Sequence, residues 1–254
     1  MSSRFLPAFI NNATYVISDL LPAIIAERAT FGEMLEFCQQ YRRRGIARFL
    51  QTAETNLLQQ DLQRSGSAFA AYLAREGGAG NVVSKAAPFF DAVASADTQA
   101  AVRISRLSAL TPSLDYEYED DFLYIRILMG RFFLGFDDVE LSAMLKRYEE
   151  LLDGSEDPKY TICESFLKAR PEQFGEAFEQ LITTRDEHYT AGVEAEEIIE
   201  EEWATEGKIF VEGIALVRLA VSAGVPVQKD YLFVPSLAVR AGSVGYASDS
   251  WKAL

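Results

Sequence analysis

The sequence predicts an all-α fold: a stack of antiparallel helical hairpins without significant sheet. Two observations carry that expectation. Apolar residues recur at steps of three, four and seven through most of the chain, the mark of helices with one buried side. Helix start and stop signals, among them GFDD at 135–138, Asp157-Pro158 and Pro171, divide the middle of the chain into segments of about 11 to 18 residues. No fixed repeat period stands out. At 254 residues with 49% apolar content, the chain suits a single helical domain over 1–254, with a possible division into halves at 1–112 and 113–254.

Taken in order, residues 13–29 read as a first helix, with Leu20, Leu21, Ile24 and Ile25 inward and Pro22 near its start or at a kink. Gly32 separates it from a periodic segment running from Glu33 to Arg75. Gly45 and Gly66 are expected to break that segment, since glycine costs about 1 kcal/mol in a helix interior. Arg42, Arg43, Arg44 and Arg48 form a basic run within it, expected to serve inside the molecule by pairing with the acidic half of the chain. REGGAGN, 75–81, reads as a loop, and its glycines lack the GxxxxGK[ST] pattern of a phosphate cradle.

Residues 85–110 read as one or two helices with Pro88 near a start. Pro112 stops them, and Ser113 to Asp121 forms a loop into the next helix, with Asp120 and Asp121 as caps. Helix 121–134 ends at Gly135, and Asp137 or Asp138 restarts the chain. Two further helices follow Pro158 and Pro171. From Ile199 a stripe of Trp203, Phe210, Ile214, Val217 and Val221 reads as one helix with that side inward. After Gly224 the chain crosses the surface, forms a short helix at Ser236 to Arg240 and ends in a loose tail.

Charge is the most informative feature. The net value is −14, and residues 114–206 alone carry −18, while 1–113 and 207–254 each carry +2. Such a field repels nucleic acid and anionic membranes and attracts basic proteins or cations. Two clusters concentrate it. One is Asp115, Tyr116, Glu117, Tyr118, Glu119, Asp120 and Asp121, where tyrosines supply contact area and acids supply sign, or else the tyrosines pack and the acids cap. The other is Glu194, Glu196, Glu197, Glu200, Glu201, Glu202 and Glu206, with Glu196/Glu200 and Glu197/Glu201 one helical turn apart. Each such like pair costs roughly 0.2–0.5 kcal/mol on an exposed helix. This second cluster is either a solvated face or a surface whose sign serves a partner.

Residues for catalysis are scarce. His188 is the only histidine, so the Glu-x-x-His pairs of di-iron bundles and HExxH zinc sites are excluded. Cys38 and Cys163 sit in no metal or redox spacing and read as buried, reduced thiols. No GxSxG and no DxDxDG loop occurs. No catalytic, cofactor or metal residue is therefore assigned. Asn11, Asn12 and Asp19 interrupt any export signal, and Arg126 and Arg131 cut the apolar run FLYIRILMGRFFLGF, so a cytoplasmic location is expected.

The carboxyl-terminal third carries a resemblance. FLKARPEQFGEAFEQLITTRDEHYTAG, the glutamate-rich stretch and EGIALVRLAVSAGVPVQKDYLFVPSLAV include Glu212 ahead of an alanine/leucine-rich turn, the step Ala223 to Val227, and Pro235 before Leu237. Over roughly 115–240, with an echo in GIARFLQTAETNLLQQ, this resembles the all-helical immunity protein 49 family of bacterial polymorphic toxin and type VI secretion systems. The resemblance implies an antitoxin that binds and neutralises a cognate effector such as a nuclease, with no catalytic residues and with contacts that vary by toxin. The loop at 115–121 is not part of the family pattern. Charge points the same way: clustered carboxylates suit a basic effector as a phosphate mimic. The partner-binding residues expected are Asp115, Tyr116, Glu117, Tyr118, Glu119, Asp120 and Asp121, then Glu196, Glu197, Glu200 and Glu201. The partner is a basic protein toxin, with no nucleic acid or membrane, and a homodimer is open. The alternatives are a helical adaptor or chaperone for a secreted effector, and a carboxylate-dependent hydrolase.

Overall fold

The computed structural model of the chain describes residues 3–76, 82–168, 170–242, 245 and 247–253. The described residues form twelve α-helices with no strand. The only β-type contact among them is a single bridge between Tyr231 and Val234. The expected all-α fold is what the structure has. The glycines of the expected 75–81 loop lie outside the described residues.

The amino-terminal half is built on three long helices, α1 (Leu6–Ile25), α2 (Phe31–Thr52) and α3 (Thr55–Glu76), each packed on the next. Helix α1 starts earlier than residue 13 and keeps Pro22 inside its last turn. Thr30 and Glu33 form a capping box that starts α2, so Gly32 lies within the first turn and does not separate the helices.

Neither Gly45 nor Gly66 breaks a helix. A Cβ on Gly45 would stand 2.9 Å from Asp61 Cβ and 3.2 Å from the Leu58 carbonyl; on Gly66 it would stand 2.8 Å from Ala92 Cβ. The missing side chains let α2 approach α3 and let α3 approach the next helix, and that packing outweighs the local cost of glycine. The actual reversal comes at Ala53, in the left-handed region at φ 61°.

Helices α4 (Ala87–Ala94) and α5 (Thr98–Leu107) cover α3. Helix α6 (Glu119–Met129) continues into a π-type turn at Gly130–Leu134, and Gly135 at φ 68° stops it. Asp137 caps α7 (Asp138–Leu152) with a capping box to Glu140. Pro158 and Pro171 open α8 (Pro158–Leu167) and α9 (Pro171–Glu194) as expected, although α9 is longer than the expected range.

The stripe from Ile199 to Val221 is not one helix. It divides into α10 (Glu200–Ala204) and α11 (Val211–Ser222), and Ile199 and Val221 are 59% and 57% exposed. Helix α11 packs on α4 in the centre of the molecule, and α12 (Ser236–Arg240) falls where the sequence placed a short helix.

One apolar core runs from Ile17 to Trp251 and draws on both halves of the chain. The segment after α12 is not a loose tail throughout. Trp251 is buried, its ring meets Phe37 edge-on at 6.4 Å, and its carbonyl accepts a 3.0 Å hydrogen bond from the Tyr41 hydroxyl. The apolar run around Arg126 and Arg131 is a buried helix. Among the described residues α1 is the one helix long and apolar enough to cross a membrane.

Gly66→Val places two methyl groups where even a Cβ collides with Ala92. A loss of about 1–3 kcal/mol is expected, read as a lower urea midpoint with an unchanged slope.

Candidate functional site

The two acidic clusters have different fates. Between α5 and α6, the Ser113 carbonyl accepts from the backbone N–H groups of Tyr116 and Glu117 at 2.8 and 3.0 Å. Glu117 then turns inward: its carboxylate is buried and accepts from the N–H groups of Ser84 at 2.7 Å and Ser113 at 2.9 Å. Glu119 accepts both nitrogens of the Arg147 fork at 2.8 and 2.7 Å, and Asp121 accepts from Lys159 at 2.9 Å. The Arg147 guanidinium holds the Glu119 carboxyl below the usual carboxylate range.

Of the expected partner-binding acids, Glu117 therefore fixes the loop from inside, while Glu119 and Asp121, both partly exposed, tie the first turn of α6 to Arg147 and Lys159. Asp120 and Asp121 do not cap α6. Tyr118 holds the N-cap position without a side-chain bond, and the acids fill the first turn, where the macrodipole favours them. What the loop displays is Asp115, Leu114, Tyr116 and Tyr118, the last three 69%, 71% and 80% exposed. Asp120 has no ion pair among the described residues.

In the second cluster the chain turns sharply between α9 and α10. The Gly192 carbonyl accepts from the N–H groups of Glu197 and Ile198 at 2.8 and 3.1 Å, and Glu196 adopts φ 59°. Ile198 folds back over Gly192 into space that a Cβ would fill. This turn breaks the expected helix, sets aside the one-turn pairing of Glu196/Glu200 and Glu197/Glu201, and sends Ile199 outward.

Glu194, Glu196, Glu197 and Glu200 are exposed and unpaired among the described residues, and Val193 and Ile199 stand among them, 37% and 59% exposed. Glu201 accepts a weak 3.3 Å bond from Asn12. Glu202 and Glu206 face inward instead.

Their partners are the basic run of α2. Arg43 binds Glu206 at 2.6 Å and Glu202 at 2.7 Å; Arg42 binds Glu206 at 3.2 Å and takes both oxygens of Asp91 on α4 at 2.6 and 2.8 Å. Arg44 grips Asp61 of α3 at 3.0 and 2.7 Å, joined there by Arg48 and Arg64. The intramolecular role expected for this run is what the structure has, but half its acid partners come from the amino-terminal half and the pairs are mostly buried.

Asp91 and Asp61 are fully enclosed. Burial pushes the Asp91 carboxyl up, while the Arg42 guanidinium and the Ser65 hydroxyl at 2.5 Å pull it back. Nothing in the charge pattern singles out these two acids, because each has apolar or neutral residues as its chain neighbours.

Beside this network lies a cavity of about 260 Å³ walled by Arg42, Asp91, Arg185, Tyr189, Glu206 and Glu212. Tyr124 donates a 2.7 Å bond to Glu212, and Arg185 donates to the Glu206 carbonyl. His188 sits on the exposed side of α9, beside the ring of Tyr189. Both cysteines are buried, and burial pushes their thiols far up, which leaves them unreactive. No group of three or more histidine, cysteine or acidic side chains among the described residues is arranged to hold a metal ion.

Comparison with known proteins returns no match to a family model, to a curated protein or to a solved structure.

Arg42→Met strands Asp91 without its cation. A loss of about 3–5 kcal/mol at pH 7 is expected. A carboxyl raised in the folded state makes that state bind more protons than the unfolded chain, so stability falls as pH rises through the raised value. The deficit relative to wild type is therefore smaller at pH 5 than at pH 7. Chemical denaturation at the two pH values checks both statements.

Proposed function

We propose that the protein is a cytoplasmic immunity protein that neutralises a basic effector by direct contact, acting by occlusion and not by catalysis. The observation that carries the reading is the α9–α10 turn. There Glu194, Glu196, Glu197 and Glu200 have no ion pair among the described residues and stand around exposed Val193 and Ile199. An apolar centre rimmed by charge of one sign is the composition of a contact surface, and its field accelerates encounter with a cationic partner.

The loop before α6 supports it. The buried Glu117 carboxylate holds that loop from inside, and Glu119 and Asp121 tie the helix it enters to α7 and α8, so Tyr116 and Tyr118 are presented with little entropy left to lose on binding. Relative to the surface first expected from sequence, the buried Glu117 drops out, Glu119 and Asp121 stay partly exposed in ion pairs with Arg147 and Lys159, Glu194 and Ile199 enter, and Asp115 and Asp120 remain. The likeness of residues 115–240 to immunity protein 49 points the same way through its pattern of small and apolar residues.

The test co-expresses the chain with the product of the adjacent reading frame. Growth rescue and a one-to-one complex are expected. Replacing Glu194, Glu196, Glu197 and Glu200 by glutamine is expected to weaken that complex at least about ten-fold, or 1.4 kcal/mol, and to flatten its salt dependence. Unchanged affinity in the quadruple variant removes the turn from the interface. A complex without rescue refutes immunity and favours the adaptor alternative.

A further inference from the structure

Helix α1 presents a self-complementary stripe to solvent. Arg4, just ahead of the helix, then Ala8, Asn12, Tyr15 and Asp19 follow at steps of four, four, three and four, which keeps them on one side. That side is opposite the buried Leu6, Ala13, Ile17 and Ile24. All five are exposed, Tyr15 by 71%.

Arg4 touches only the ring of Phe5, and neither Arg4 nor Asp19 has an ion pair among the described residues. Arg4 stands at the helix start, where the macrodipole prefers an acid; α1 has no acid in its first turn and no base in its last.

The spacing is palindromic. Reversed about a point between Asn11 and Asn12, Arg4 exchanges with Asp19 and Ala8 exchanges with Tyr15. We propose that this face of α1 docks on the same face of a second copy of the chain, antiparallel about a two-fold axis passing between Asn11 and Asn12. Arg4 then meets Asp19 of the partner subunit twice over, and each Tyr15 ring covers a small Ala8, allowing the axes to approach to roughly 8–10 Å.

A two-fold pair is the commonest assembly and demands such self-matching. A bilayer is the poorer occupant. Arg4, Asn11, Asn12 and Asp19 interrupt the stripe along its length and find no partner in lipid, whereas each is matched across the axis. Glu201, drawn to Asn12 on the flank, places like charges near the axis and keeps the association concentration-dependent.

The experiment measures mass by light scattering over a concentration series of the full chain. Wild type is expected to move from monomer to dimer. Arg4→Asp and Asp19→Arg each set like charges face to face at both ends and are expected to remain monomeric. An equimolar mixture of these two variants matches every charge again, so heterodimer is expected to reappear. Circular dichroism of each variant verifies the fold.

Wild type that is monomeric at every concentration overturns the proposal, as does a dimer that survives in both variants or a mixture that stays monomeric. Flotation of wild type with phosphatidylcholine vesicles, lost in Tyr15→Asp, overturns it in favour of a membrane.

Discussion

Three consecutive arginines cannot point the same way on a helix, because successive side chains are about 100° apart. On α2 this places Arg42, Arg43 and Arg44 toward three different neighbours. Arg44 meets Asp61 of α3, Arg42 meets Asp91 of α4, and Arg43 meets the segment around α10. Residues some 160 positions apart in sequence are joined by those contacts. Buried pairs of this kind contribute little net stability against a well-packed apolar alternative, but removing one partner is costly. Their effect is selective: an arrangement that slides α2 by one residue sets a cation against the wrong wall.

The same network divides the negative charge. Glu202 and Glu206 are drawn inward to α2, Glu117 holds the loop before α6, and Glu119 and Asp121 pair with Arg147 and Lys159. The acids left outside are fewer than the composition suggests and are better placed. Those at the α9–α10 turn surround two apolar side chains, and those before α6 flank two tyrosines on a loop that is already ordered. Net charge alone ranks all of these carboxylates equally, and geometry separates the structural from the accessible.

Much of the architecture was legible because its signals are local. Asp137 with Glu140, Pro158, Pro171 and Gly135 each act within a turn or two of their own position, and the helices begin and end there. Misreadings came where a distant partner decides. Gly45 and Gly66 look like breaks until α3 and α4 are set against them. The stripe from Ile199 to Val221 has helical spacing, yet α10 stops at Ala204, Thr205 leaves helical geometry, and Gly207 lies tight against Trp203 before α11 begins at Val211. At the candidate site the charge pattern marks both acidic segments but not which carboxylates are already bound, since Ser84, Arg147 and Lys159 are remote in the chain.

The bond from the Tyr41 hydroxyl to the Trp251 carbonyl spans 210 positions. During synthesis, Phe37 and Tyr41 emerge long before the tryptophan that covers them, by about 10–40 s at ordinary elongation rates. Throughout that interval an aromatic face of α2 is open on the nascent polypeptide. The last aromatic contact of α2 therefore waits for the 210 positions that separate Tyr41 from Trp251, which makes it one of the latest in the fold to close.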